Sequence, residues 1–175
     1  MEWAAYLYSL NSLNPDLEIV WFKTNKARLN ESSKSTYYKH YKSRLQVEQH
    51  LSIDVPAMYK RALSNFRCSG HCLMIEKGRH LNLDKEYRYC HVCLHNVIRI
   101  VEDEMHFLLV CPRYNTLRKE LFPTQWQTNF VCQRSFYNIM SDKNKCNIVQ
   151  LSKYLYKTFE LRKMDTQLDL IQSRL

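Results

Sequence analysis

Residues 90–112 read CHVCLHNVIRIVEDEMHFLLVCP, and their spacing governs how the rest of the chain is read. Two residues separate Cys90 from Cys93, a spacing at which one tight turn presents both sulfurs to a common ion. Twelve residues lead on to His106 and four more to Cys111, giving C-x2-C-x12-H-x4-C. Three thiolates and an imidazole form a donor set that tetrahedral zinc prefers. The long gap fits a loop or hairpin that returns the second pair to the first. On an uninterrupted α-helix, positions five apart point in different directions. Pro112 disfavours helical geometry at Cys111, so the chain is expected to leave the helix there and let that sulfur swing back. The expectation is one Zn2+ held by Cys90, Cys93, His106 and Cys111. Four protein ligands close the sphere, whereas a catalytic zinc keeps a position open for water, so the site reads as structural. The competing reading is three buried cysteines acting as small hydrophobes beside a core histidine. Finger-like spacing of the whole quartet favours the metal.

Outward from this segment, composition points to helices. The chain has 175 residues, 45% of them apolar, enough for a core of one domain or two small ones. It has two glycines, Gly70 and Gly78, and four prolines, too few turn residues for a sandwich or barrel of this length. The expected fold is mainly α, a multi-helix domain with a small irregular or β-hairpin zinc knuckle. Residues 1–33 read as a linker-like N-terminal segment and 34–80 as a basic helical region. Residues 81–122 hold the knuckle and a following helix, and 123–175 the C-terminal helices packing on the rest.

Several elements can be placed more closely. A short amphipathic helix is expected over Glu2–Leu13, and the run at 17–24 is a strand or a buried helical turn. Asp54 is positioned to cap a helix whose first turn holds Pro56 and which runs through Met58, Leu63 and Phe66. Ser69-Gly70 interrupts it. Gly78 is expected to stop the next helix, and Val97, Ile98 and Ile100 suit a short strand. Further helices are expected over 102–110, 114–122 and 126–140. Ser141-Asp142 then signals a last helix striped by Ile148, Leu151, Leu155 and Phe159.

The net charge is +9, which points to an acidic partner, most often nucleic acid. Candidate phosphate contacts are Lys34, Lys39, Lys42 and Arg44, interleaved with Tyr37, Tyr38, His40 and Tyr41. Arg79, Lys85 and Arg88 precede the knuckle, and Arg99 lies between the ligand pairs. Tyrosine faces can stack on unpaired bases. The ordinary alternative is a helix with tyrosines in the core and lysines in water. Glu102-Asp103-Glu104 reads as acids offsetting the dipole of a first helical turn, not as a catalytic cluster. The seven cysteines are an odd number with irregular spacing, and MEWAAYLYSLN lacks the basic n-region of a signal peptide. A nuclear or cytoplasmic chain is therefore expected, not a secreted one, with no membrane span and no small-molecule substrate.

Tyr87–Cys93 followed by VEDEMHFLLVCPRY, residues 101–114, resembles the zinc-binding segment C-terminal to the polymerase core of non-LTR (LINE-type) retrotransposon reverse transcriptases. RCSGHCLMIEKGR, residues 67–79, resembles the block that precedes this knuckle. The resemblance is clear over residues 35–122 and weaker to about 163. It implies a module that helps hold RNA or DNA, single-stranded or structured, with a reverse transcriptase core as a further partner. The chain departs from the family in lacking adjacent catalytic aspartates, an endonuclease set and a ribonuclease H set. The resemblance thus implies the accessory piece alone, which binds and is not an enzyme. The rival reading is a structural or protein-interaction module with no direct nucleic-acid contact. A contiguous basic face favours the first, and an exposed apolar patch the second.

Overall fold

A computed structural model describes residues 37–41, 47–127 and 131–172, with Ala27 and Glu31, and side chains as far as Asp165. The helix expected over Glu2–Leu13, the run at 17–24, and Lys34, Lys42 and Arg44 lie outside the described residues. Among the described residues the protein is mainly helical, with no strand. The helices are α1 (Tyr38–Tyr41), α2 (Gln49–Ser52), α3 (Ala57–Arg67), α4 (Met74–His80), α5 (His91–His95), α6 (Asn115–Leu121), α7 (Gln133–Met140) and α8 (Lys145–Gln172). A π-helical turn spans His106–Val110, and 3-10 turns span Lys85–Tyr87, Pro112–Tyr114 and Thr124–Trp126.

The long α8 organises the core by packing against both α3 and α6. Its stripe holds as expected: Ile148, Leu151 and Leu155 are buried and Phe159 packs against the core. Three further residues, Ser152, Tyr154 and Thr158, widen the buried face beyond the stripe. Thr158 satisfies its hydroxyl locally, donating to the Tyr154 carbonyl at 2.9 Å. Opposite α8, Phe107 stacks on Phe159 and meets Tyr114 edge-on, both at 4.8 Å. Full burial of Phe107 contributes about 1.5–3 kcal/mol.

Some element ends differ from expectation. Asn144, not Ser141-Asp142, caps α8: its Oδ1 accepts from the backbone N–H of Cys146 at 2.9 Å. Asp142 supports that cap by accepting from the Asn144 backbone, while Ser141 closes α7 by donating to the Tyr137 carbonyl. Pro56 is itself the N-cap of α3, and no side chain caps that helix. Helix α7 begins at Gln133, and Trp126 belongs to a separate 3-10 turn.

Three short helices end in the same way. Ser69 after α3, Asn82 after α4 and Val97 after α5 have positive φ angles of 52°, 54° and 64°. In each case the next residue donates its N–H to a carbonyl five positions back: Gly70 to Asn65, Leu83 to Gly78 and Ile98 to Cys93. This is the Schellman closure, whose left-handed position glycine usually fills and asparagine sometimes does. A chain with two glycines places neither of them there. For Val97, a β-branched residue, the left-handed conformation costs on the order of 1–2 kcal/mol.

Gly78 is not the expected helix stop, because α4 continues to His80. Its role is to make room. A Cβ at Gly78 would lie 2.6 Å from Cγ and 2.9 Å from Cδ of Arg88, which crosses α4 at this point. The expected strand over 97–100 contracts to one antiparallel bridge, Tyr89 with Val101. Two hydrogen bonds flank it, Cys90 N–H to Ile100 O at 2.8 Å and Glu102 N–H to Arg88 O at 2.9 Å. No second pair forms toward the loop because residues 91–95 have already entered α5.

Candidate metal centre

Cys90 and Cys93 are brought together by α5. Cys90 is its N-cap and Cys93 sits in its first turn, so both sulfurs lie at the same helix end. The second pair is joined by the π-turn. The N–H of Cys111 donates to the carbonyl of His106 at 2.8 Å, a bond spanning five residues. In an α-helix positions 106 and 111 diverge, whereas the wider π-turn carries them back to one face. Asp103 fixes its start, since Oδ1 accepts from the His106 N–H at 2.7 Å. Pro112 acts at its exit as expected, leaving Cys111 extended with ψ at 121°.

The four donor atoms lie within 4.8 Å of one another, and all four residues are buried. Sγ of Cys90 is 3.9 Å from Sγ of Cys111, and Sγ of Cys93 is 3.5 Å from Nε2 of His106. This cluster can hold a metal ion. Among the described residues no other group of three or more such donors comes together, and Cys68 and Cys72 are exposed. Nδ1 of His106 is buried without a hydrogen-bond partner, so packing holds the ring.

The three thiols of the cluster perturb one another. A hydrogen bond from Cys111 draws the Cys90 thiol down. Burial and the charge on Cys90 push Cys93 up. The hydrogen bond to Cys90, together with burial, drives Cys111 above the usual thiol range. A metal ion at the centre of the cluster would favour the thiolate form of all three sulfurs.

Arg118 bears on the same balance. This buried arginine donates to the carbonyls of Cys111 and Leu108 and to Oδ1 of Asn115, with Tyr154 Oη at 3.4 Å. None of these partners is a carboxylate. A buried guanidinium facing only neutral groups is costly. Three thiolates and one divalent ion would sum to −1, and such a charge would balance Arg118 through the Cys111 carbonyl.

The three acids beside the site do more than offset a helix dipole. Glu102 takes a two-point ion pair from Arg162 and a 2.7 Å hydrogen bond from the Met74 N–H. Asp103 caps the π-turn and accepts from the Tyr37 hydroxyl at 2.7 Å. Glu104 accepts from Ser69 at 3.0 Å and lies 3.1 Å from Nε2 of His71. Burial alone would raise the Glu104 carboxyl, but the hydrogen bond from His71 holds it below its usual range. One acidic triplet thus ties the loop after α3, the start of α4, α8 and Tyr37 to the segment that carries His106 and Cys111.

The basic candidates are distributed unevenly. Arg79, Lys85 and Arg88 line one cleft of about 320 Å3 next to the knuckle, with Glu76, Asp103 and Tyr37 in its walls. Arg79 is paired with Glu76 at 2.8 Å, while Lys85 is exposed. Arg88 aims its donors at backbone carbonyls, Leu83 at 2.9 and 2.7 Å and Ile75 at 2.8 Å. Lys39 is half-buried on α1, and Arg99 is exposed on the loop after α5. The tyrosines interleaved with Lys39 are half-buried, and Tyr37 and Tyr41 pack against the core. Tyr37 packs on Phe136 at 4.8 Å, Tyr38 meets Tyr41 edge-on at 5.4 Å, and burial raises all three hydroxyls above their usual range.

Sequence reasoning did not find Arg118, Glu102 with Arg162, or the left-handed Val97. The apolar spacing of residues 106–110 does not separate a π-turn from an α-turn. No helix among the described residues is long and apolar enough to cross a membrane. No protein-family model, curated protein or solved structure matches this chain.

Proposed function

We propose that the chain is a non-catalytic binding module stapled by one structural Zn2+, and that it holds RNA or DNA. The observation that carries the metal assignment is the donor geometry. Zinc bonds of about 2.3 Å to sulfur and about 2.0 Å to nitrogen set tetrahedral edges of roughly 3.8 Å between sulfurs and roughly 3.5 Å from sulfur to nitrogen. One sulfur–sulfur separation here is 3.9 Å and one sulfur–nitrogen separation 3.5 Å, and all four donors lie within 4.8 Å of one another. Cys90, Cys93, His106 and Cys111 fill all four positions, leaving no place for a reactive water. Bound zinc would supply folding energy on the order of 10 kcal/mol.

The nucleic-acid reading is supported by the +9 charge and by the gathering of Arg79, Lys85 and Arg88 at one cleft beside the knuckle. It agrees with the resemblance to the C-terminal region of LINE-type reverse transcriptases. Binding would rest on phosphate contacts and so weaken steeply with salt. Native mass spectrometry should find one zinc per chain. Titration with a labelled single-stranded RNA or DNA from 50 to 300 mM salt should give a steep negative slope in log affinity, shallower in Arg79→Ala/Lys85→Ala. A flat salt response, or no binding at low salt, overturns the nucleic-acid reading and leaves the metal assignment to the mass measurement.

A further inference from the structure

Between α3 and α8, beside the loop that joins α3 to α4, lies a cleft of about 340 Å3 whose walls include Arg61, Gly70, His71, Cys72, Glu160 and Lys163. That size is within the range of small-molecule sites. The cleft belongs neither to the metal cluster nor to the basic cleft beside the knuckle. Phe159 forms part of its wall, and His71 stacks on that ring. The His71 side chain is only 1% exposed. Its Nε2 faces Glu104 at 3.1 Å, and a carboxylate held in its charged form only accepts. Nδ1 is buried with no partner. In the neutral ring it is an acceptor without a donor, and buried polar atoms are seldom left so. A ligand N–H entering the cleft would supply the donor.

Cys72 gives the cleft a reactive atom. Its thiol is exposed, and Nη1 of Arg162 donates to Sγ at 3.9 Å, while Nε and Nη2 of the same guanidinium hold Glu102. Cys68, Cys132 and Cys146 are exposed as well, but none of them lines this cleft. The charged side chains that line it with Cys72 are two cations, Arg61 and Lys163, and one anion, Glu160. Arg61 is exposed and makes no hydrogen bond or ion pair among the described residues. Lys163 and Glu160 pair at 2.6 Å, with both side chains still open to solvent. A matching ligand carries two carboxylates, one ammonium group, peptide N–H groups and a sulfur that a thiolate can attack. Each half of glutathione disulfide has that chemistry.

We propose that Cys72 is a site of reversible S-glutathionylation and that the cleft around it is the recognition surface. The Cys72 thiolate attacks one sulfur of glutathione disulfide. A bond forms between Sγ and that sulfur, the original S–S bond breaks, and the other glutathione leaves as a thiolate. Cys72 is oxidised by the exchange, and the departing glutathione is reduced. In the adduct the carboxylates meet Arg61 and Lys163, the ammonium meets Glu160, and an amide N–H meets Nδ1 of His71. Thiol attack on the mixed disulfide reverses it. This inference depends on neither the metal assignment nor the nucleic-acid reading.

The test sets three disulfides of different charge against the full chain, kept free of chelator: anionic glutathione disulfide, neutral hydroxyethyl disulfide and cationic cystamine. Peptide mapping by mass spectrometry follows each exposed cysteine over time. Glutathione disulfide should modify Cys72 about 3- to 10-fold faster than Cys132, the worth of one or two exposed ion pairs. The neutral and cationic reagents should modify Cys132 first, because its thiol is lowered and no charged cleft favours Cys72. Arg61→Glu should remove the preference for Cys72 and leave the Cys132 rate and the thermal midpoint unchanged. Salt at about 1 M should act as that substitution does. Dithiothreitol should restore the starting mass. Several outcomes overturn the proposal: Cys72 reacting no faster than Cys132 with glutathione disulfide, the same preference for Cys72 with the neutral reagent, a Cys72 rate insensitive to Arg61→Glu, or collapse of the adduct into a Cys68–Cys72 disulfide.

Discussion

Glu102 and Arg162 stand sixty positions apart and meet in the core as a two-point ion pair. Nε donates to Oε1 at 2.8 Å and Nη2 to Oε2 at 2.6 Å, with 1% and 5% of the respective side chains exposed. The pair anchors α8 to the segment that leads into the π-turn, so the helical core and the metal site are mechanically one unit. Breaking it from one side leaves a buried charge unpaired. Glu102→Gln and Arg162→Met should each cost about 3–5 kcal/mol in urea denaturation. The double variant should cost clearly less than the sum of the two.

Arg118 makes a sharper claim on the metal. If its charge is balanced by a thiolate-rich centre, Arg118→Met should weaken zinc binding by about 10- to 100-fold, the usual effect of losing an outer partner of a metal ligand. Competition with a chromogenic chelator reads this directly. Arg118→Lys should recover part of the affinity. Equal affinities in all three proteins would mean that Arg118 serves the carbonyls alone.

Gly78 and Arg88 form a steric pair that can be tested by a cycle. Gly78→Ala brings a methyl to 2.6 Å from Arg88 Cγ and should cost about 1–3 kcal/mol as local overpacking. In an Arg88→Ala background the same change should be close to neutral, because the side chain it strikes is gone. Thermal melts of the four proteins give the coupling.

The cysteines should separate by chemistry. Cys132 is exposed, and hydrogen bonds from the Ser135 hydroxyl and nearby backbone lower its thiol. At neutral pH it should be alkylated by iodoacetamide before Cys68, Cys72 and Cys146. Cys90, Cys93 and Cys111 should resist until a chelator is added and then react together. Peptide mapping by mass spectrometry resolves each position.

The clustering of Cys90, Cys93, His106 and Cys111 was legible in the sequence because their spacing is a local property. Two turns supply the convergence, and Cys90-x2-Cys93 and Pro112 announce both ends. The stripe from Ile148 to Phe159 was legible for the same reason: a helix writes its buried face into its period. The Glu102-Asp103-Glu104 triplet was not. Its three carboxylates reach Arg162, the π-turn and Ser69, partners that only the closed fold supplies. Helix ends were misread where the residue doing the work is an unusual one. Val97 holds a glycine-like position, Gly78 sits inside a helix, and Asn144 caps two residues beyond the expected signal. Sequence preference marks the common occupant of a position, and here tertiary demands chose others.

The π-turn gives the segment between His106 and Cys111 a property unlike that of the surrounding helices. Its side chains can vary in kind, provided Phe107 and Leu108 remain apolar, but their number cannot. Removing one residue would let the turn relax into an ordinary α-helix, improve its backbone geometry, and swing Cys111 off the face that holds the other three donors. The same single-residue deletion in the exposed stretch of α8 would shift a register and leave chemistry elsewhere intact. At 107–110 it would exchange a metal ligand for a better helix, so length, more than composition, is what any working descendant of this chain must keep there.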